Sequence, residues 1–160
     1  MAESASPFLG EALLASLMGQ ARSLPRRRAH HPLHRGNDAL AHRILVAMEP
    51  DSYVRPHRHL DPHKAETIIV LRGCLGTLIF DEEGQVLERQ IMAPGAAVFG
   101  YDIQPGVFHS IVALASGSVF LEAKAGPYQV PAAAEWAPWA PAEGMPGVPE
   151  YLDRLRTCLL

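Results

Sequence analysis

The sequence predicts an all-β fold, an antiparallel sandwich or barrel. About eight short apolar runs, many of them β-branched, fill the roughly 80 residues from position 42 to 125. Turns built on Gly and Pro separate them. No stretch of helical period lies between these runs, so crossover helices and a parallel sheet are excluded.

The elements follow in order. Ser6 can cap a first helix with Pro7 at its first position, and Leu9, Leu13, Leu17 and Ala21 recur on one face. That helix should end between Gly19 and Ser23, ahead of Pro25. Residues 26–35, with four arginines and three histidines, read as a basic linker. Strands are predicted over 42–49, stopped by Pro50, then over 53–59, 67–71 and 74–80. Residues 81–84 (Asp-Glu-Glu-Gly) make a turn before a strand over 86–92. Pro94-Gly95 turns into a strand over 96–99, and Pro105-Gly106 precedes strands over 108–115 and 119–124. The Pro- and Ala-rich stretch from 126 should wrap the β core, pinned by Trp136 and Trp139, with a short helix over 151–160. The 160 residues form one domain: helix and linker over 1–35, β core over 42–125, tail over 126–160.

Composition narrows the function classes. A net charge of −3 and a pI near 6.2 give no electrostatic footprint for nucleic acid or an anionic membrane. No apolar run approaches the roughly 18 residues of a membrane span. The amino-terminal residues lack a basic leader, so a cytoplasmic protein is expected. Cys74 and Cys158 are expected to be free thiols.

Histidine carries the chemistry. His57 and His59 stand two apart, so on an extended strand both imidazoles point to one face and can share a metal ion. Glu66 opens the next strand, and Gly73 ends it where the chain must turn. His109 follows the Pro105-Gly106 turn at the entrance of a late strand. Three imidazoles and a carboxylate drawn from three strands can meet in the mouth of a small β barrel. Such a set suits one divalent transition-metal ion (zinc, iron, manganese or nickel) and leaves coordination positions open.

These residues resemble the two motifs of the cupin superfamily. The first motif is G-x5-H-x-H-x3or4-E-x6-G. His57, His59, Glu66 and Gly73 match it, and Asp51 stands at its first Gly. In the second, G-x5-P-x-G-x2-H-x3-N, Gly106 and His109 match, while Gln104 and Ala113 replace the Pro and Asn. The chain also resembles, nearly end to end, the WbuC family of cupin-fold metalloproteins. The likeness includes the first helix and basic linker, residues 53–59 (Tyr-Val-Arg-Pro-His-Arg-His), 122–128 (Glu-Ala-Lys-Ala-Gly-Pro-Tyr) and 136–144. The resemblance implies a cupin double-stranded β-helix (jelly-roll) barrel with His57, His59, Glu66 and His109 as metal ligands. It also implies a link to bacterial surface-polysaccharide synthesis, without an established reaction. The sequence departs from the motif in one spacing: six residues separate His59 from Glu66. His63 lies in that longer loop and is an alternative ligand, and Asp61 is a weaker one.

Parity extends the site. An extended 53–59 places Tyr53, Arg55, His57 and His59 on one face, so Arg55 and Tyr53 are candidate substrate contacts. Arg55 could hold a carboxylate or phosphate in bidentate fashion. Lys64 is a candidate at the mouth. Residues 67–71 are apolar on both faces and must be covered on both, by the first helix or a second subunit, so a homodimer is expected. Three functions fit: a metal-dependent enzyme on a small polar molecule, a non-catalytic sugar- or metabolite-binding cupin, and a metal-independent sugar-nucleotide epimerase or isomerase.

Overall fold

The computed structural model describes residues 8–160. The capping positions expected at Ser6 and Pro7 lie outside the described residues. The first helix, α1, runs Glu11–Ser23, and Leu24 leaves it in extended backbone before Pro25. Eight strands follow: β1 (Arg28–Pro32), β2 (Ala41–Met48), β3 (Glu66–Arg72), β4 (Leu75–Phe80), β5 (Val86–Met92), β6 (Gly100–Ile103), β7 (Phe108–Ala113) and β8 (Ser118–Ala125). A second helix, α2 (Val148–Leu159), closes the chain.

The strands form two antiparallel sheets, ordered β1-β2-β8-β3-β6 and β5-β4-β7. The segment at His57 extends the second sheet. His57 N–H donates to the His109 carbonyl at 3.0 Å, and His109 N–H donates back at 2.9 Å. With that segment counted beside β7, each sheet has four strands in jelly-roll order, and β1 is an added edge. The fold is therefore all-β, with a helix on each outer face.

Side-chain alternation sorts the strands into layers. Val46, Met48, Ile68, Val70 and Phe120 of the first sheet meet Leu75, Met92, Ile111 and Ala113 of the second between the sheets. Their neighbours point outward. Leu45, Ala47 and Val119 pack under Leu17, Met18 and Ala21 of α1. Leu78, Phe80 and Val112 pack under Leu152, Leu155 and Leu159 of α2. The tail wraps as expected: Trp139 lies against Phe80 and Phe108, with ring centroids 5.0 and 5.9 Å apart.

Three elements differ from the sequence reading. The basic linker contains β1, which pairs with β2 from Arg28↔Met48 to Pro32↔Ile44. Its residues alternate, so Ala29 packs under α1 while Arg28 and His30 face inward. The strand expected over 96–99 is instead β6, four residues later. Gly100 explains the shift: a Cβ there would collide with the Ile68 carbonyl oxygen, so only glycine lets β6 draw this close to β3. Residues 53–56 make no ladder, because Pro56 has no N–H to give, and pairing resumes only at His57. Gly73 takes φ +78°, and a Cβ there would lie 2.8 Å from Ser118 Cα, so the motif glycine fills a real steric need.

Among the described residues no helix is long and apolar enough to cross a membrane. Cys74 and Cys158 are free thiols.

Candidate metal centre

The jelly roll places its polar end between the sheets. Glu66 is the first residue of β3, His109 is near the start of β7, and His57 and His59 lie on the segment beside β7. One ligand atom from each of these four residues falls within 4.8 Å of the others. Glu66 and His109 are buried, at 3% and 1% exposure, so water cannot satisfy them freely.

Backbone carbonyls orient two of the imidazoles. His57 Nδ1 lies 2.9 Å from the Arg55 carbonyl, and His109 Nδ1 lies 2.9 Å from the Val107 carbonyl. A carbonyl only accepts, so each Nδ1 carries the proton, and each Nε2 is left to face the cluster. That second contact is the arrangement by which ligating histidines are held in tautomer and orientation. His109 Nε2 is buried with no hydrogen-bond partner. It stands 3.4 Å from Glu66 Oε1, near enough for attraction but not aligned for a hydrogen bond. His59 Nε2 is 2.9 Å from Glu66 Oε2, and the Tyr101 hydroxyl donates to Glu66 Oε1 at 3.0 Å. An orphaned imidazole nitrogen beside an oriented carboxylate fits a metal ion.

The electrostatics agree. Burial pushes the Glu66 carboxyl up, but His109 and His59 overcome it and hold it well below the usual range. Burial pulls His57 down to about 3, and His109 beside it adds to the effect, so His57 is a neutral donor. Burial also pulls on His109, yet the Glu66 carboxylate more than offsets it, and the net shift is upward.

The site opens into a cavity of about 250 Å³ lined by His57, His59, Glu66 and His109. Tyr101, Glu122, Lys124, Arg28 and His30 share that lining, and so does Trp136. Lys124 lies directly across the ladder from Glu66. Its ammonium is 2.6 Å from Glu122 Oε1 and 3.7 Å from Glu66 Oε2.

The other candidates lie elsewhere. His63 is exposed in the loop before β3, outside the cluster. Tyr53 is buried on the outer side of the second sheet, where its hydroxyl donates to the Pro141 carbonyl at 2.9 Å. Arg55 donates to the Ala137 carbonyl at 2.7 Å and lines a separate cavity with Arg26, Trp136 and Glu143. Lys64 lines a third cavity with Glu135. The shared face expected for Tyr53, Arg55, His57 and His59 fails because alternation slips at Pro56: Val54, not Tyr53, packs toward the interior.

Sequence reasoning did not place Tyr101 at the site and took Trp136 for a clamp only. Tyr101 instead bonds Glu66, and Trp136 walls the cavity with its ring 5.8 Å from His57. Glu122 and Lys124 alternate onto one face of β8; their place beside Glu66 depends on β8 pairing with β3.

Jelly-roll strand order brings the motif residues His57, His59, Glu66 and His109 together between the sheets, as their likeness to the cupin motifs leads one to expect. No curated protein matches the sequence. Similar solved structures include KdgF from Halomonas sp., at 18% identity and TM-score 0.49, over 64% of this chain and 80% of that one. A conserved SPY1581 protein of unknown function from Streptococcus pyogenes aligns at 14% identity and TM-score 0.49, over 66% of this chain and 80% of its own. Oxalate decarboxylase from Bacillus subtilis aligns at 20% identity and TM-score 0.46, over 61% of this chain but only 24% of its own length. A family model described as a domain of unknown function (DUF6016) matches residues 9–92, more than half of the chain and the part that supplies His57, His59 and Glu66, so the chain belongs to that family.

Proposed function

We propose that this protein is a metal-dependent enzyme of the WbuC type, acting on a small polar, sugar-derived or anionic molecule in bacterial surface-polysaccharide metabolism. One observation carries the metal-dependent reading. Four ligand groups lie within 4.8 Å, and the buried His109 Nε2 among them has no other partner. A divalent ion held by His57, His59, Glu66 and His109 would supply Lewis acidity, or oxygen activation if it is iron. Nitrogen and oxygen donors of this kind accept zinc, iron, manganese or nickel. Around that centre Tyr101 holds Glu66 in place, Lys124 and Glu122 face the substrate space, and Trp136 narrows the mouth.

Two features disfavour a metal-independent epimerase. The Tyr101 hydroxyl is committed to Glu66, and burial and the Glu66 charge push it well above the usual tyrosine range, which suits a structural donor rather than a general acid. The cavity, at about 250 Å³, is also smaller than the sites that enclose drug-sized ligands. Turnover tests the reading directly. On a panel of small hydroxy acids, uronates and sugars, metal-loaded protein is expected to consume at least one compound, and chelation to abolish that activity. Turnover that survives chelation, with deuterium entering the substrate, restores the epimerase; tight binding without turnover makes the protein a binding module.

We also propose a homodimer. On the outer face of β3 and its approach to β6, Leu71 and Phe99 are 41% and 53% exposed, beyond the cover of α1. Light scattering is expected to give twice 17.4 kDa; a mass of 17.4 kDa at tens of micromolar rules the dimer out.

A further inference from the structure

The cavity beside the metal centre is cationic on the side built from β1 and β8. Arg26, Arg28, His30 and Lys124 all line it. Glu143 serves both arginines, at 2.7 Å from Arg26 and 3.0 Å from Arg28. His30 among them is driven down to about 4, first by burial and then by Arg28, Arg26 and Lys124, so it adds no positive charge. Lys124 is the cation nearest the ligand cluster. Its ammonium carries three donors, and Glu122 takes one at 2.6 Å. Glu66, at 3.7 Å, attracts it without a hydrogen bond.

A divalent ion changes this balance. Glu66 would then be spent on the ion, and a half-buried ammonium would face a metal cation with only Glu122 to compensate. A ligand carrying negative charge relieves both cations at once. The rest of the cavity is apolar, with Val54, Ile68, Ile111 and Phe120 in its lining, and its volume of about 250 Å³ admits only a small body. We infer that the site selects a small carboxylate, held between the metal and the Lys124 ammonium. Lys124 is thus the residue that sets substrate charge, and this inference rests on the metal-dependent reading above.

The test uses the full chain loaded with cobalt(II), with metal content measured in each sample. Glycolate and its neutral isostere glycolamide are titrated against the visible absorption of the cobalt. Glycolate is expected to bind wild type about tenfold or more tighter than glycolamide, the scale of one charge-assisted hydrogen bond. Lys124→Met is expected to keep its cobalt and to lose that preference. Lys124→Met strands Glu122, so the double variant Lys124→Met, Glu122→Gln, which removes both charges, is measured beside it. Equal binding of the two probes by wild type, or unchanged glycolate binding in a cobalt-loaded variant, overturns the inference and leaves the metal reading intact. Binding of inorganic phosphate in place of glycolate, with the same Lys124 dependence, overturns the choice of a carboxylate. Failure of wild type to hold cobalt or any other divalent ion overturns the metal reading, and this inference with it.

Discussion

Wild-type protein prepared without an affinity tag is expected to carry close to one transition-metal ion per chain. His57→Ala, Glu66→Ala and His109→Ala are expected to carry less than about a tenth of that, and His63→Ala to match wild type. The magnitude follows from the donor set. Loss of a residue that merely orients a ligand weakens metal binding about 10- to 100-fold, and loss of a ligand costs at least as much. His109→Ala removes the one buried ring nitrogen of the cluster that has no alternative partner. Glu66→Ala also removes the only carboxylate among the four groups, so the remaining neutral imidazoles would face the ion with no anion beside them. His63 is exposed, and its N–H donates to Asp61 Oδ1 within its own loop. Elemental mass spectrometry on the five proteins decides the matter. Metal lost from His63→Ala and kept by Glu66→Ala would reverse the assignment, and equal metal in all five would mean that this cluster does not hold the ion.

That contrast also shows how far the sequence reaches. Counting back from Gly73 places Glu66 at the start of a strand, and it is the first residue of β3. The long spacing after His59 leaves His63 as a rival, because a loop's path is not written in its length. The structure turns residues 61–63 outward, with Lys64 N–H closing onto the Asp61 carbonyl at 3.0 Å. The strands that matter most for the core show clear apolar runs and were legible to within a residue or two. Those fixed by tertiary contacts were not. β1 reads as a charged linker because its inward residues are Arg28 and His30, which face the cavity and not the apolar core. β6 depends on Gly100 approaching β3, a fact about two strands distant in the chain. Parity failed at Pro56 for a local reason, and Tyr101 was missed because its hydroxyl finds Glu66 only once β3 and β6 pair, with Ile68 opposite Tyr101.

Removal of the metal is expected to lower the Tm by about 8–16 °C at pH 8, and by less at pH 6. The ligands come from both sheets. His57, His59 and His109 belong to the second sheet or its edge, and Glu66 belongs to the first, so an ion joins the two layers at their open end. An ion that binds only the folded chain, present at a thousand times its Kd, stabilises it by about 4 kcal/mol, and each kcal/mol moves the Tm of a domain this size by about 2–4 °C. Stripped protein is expected to stay folded on its apolar core, and in it Glu66 still holds His59 and Tyr101. The pH dependence comes from His109, whose affinity for a proton is raised in the metal-free fold by the Glu66 carboxylate against the pull of burial. A raised histidine stabilises the folded state fully below its unfolded value of about 6.5, and that contribution fades as pH climbs through the raised value. The metal must displace the same proton, so its own stabilisation grows over that interval. These are one linkage seen from two sides, and it widens the gap between loaded and stripped protein as pH rises through the raised value. Differential scanning calorimetry at pH 6, 7 and 8, with and without chelator, reads the gap; one that is absent, or that narrows toward pH 8, would mean that His109 and Glu66 do not share the ion.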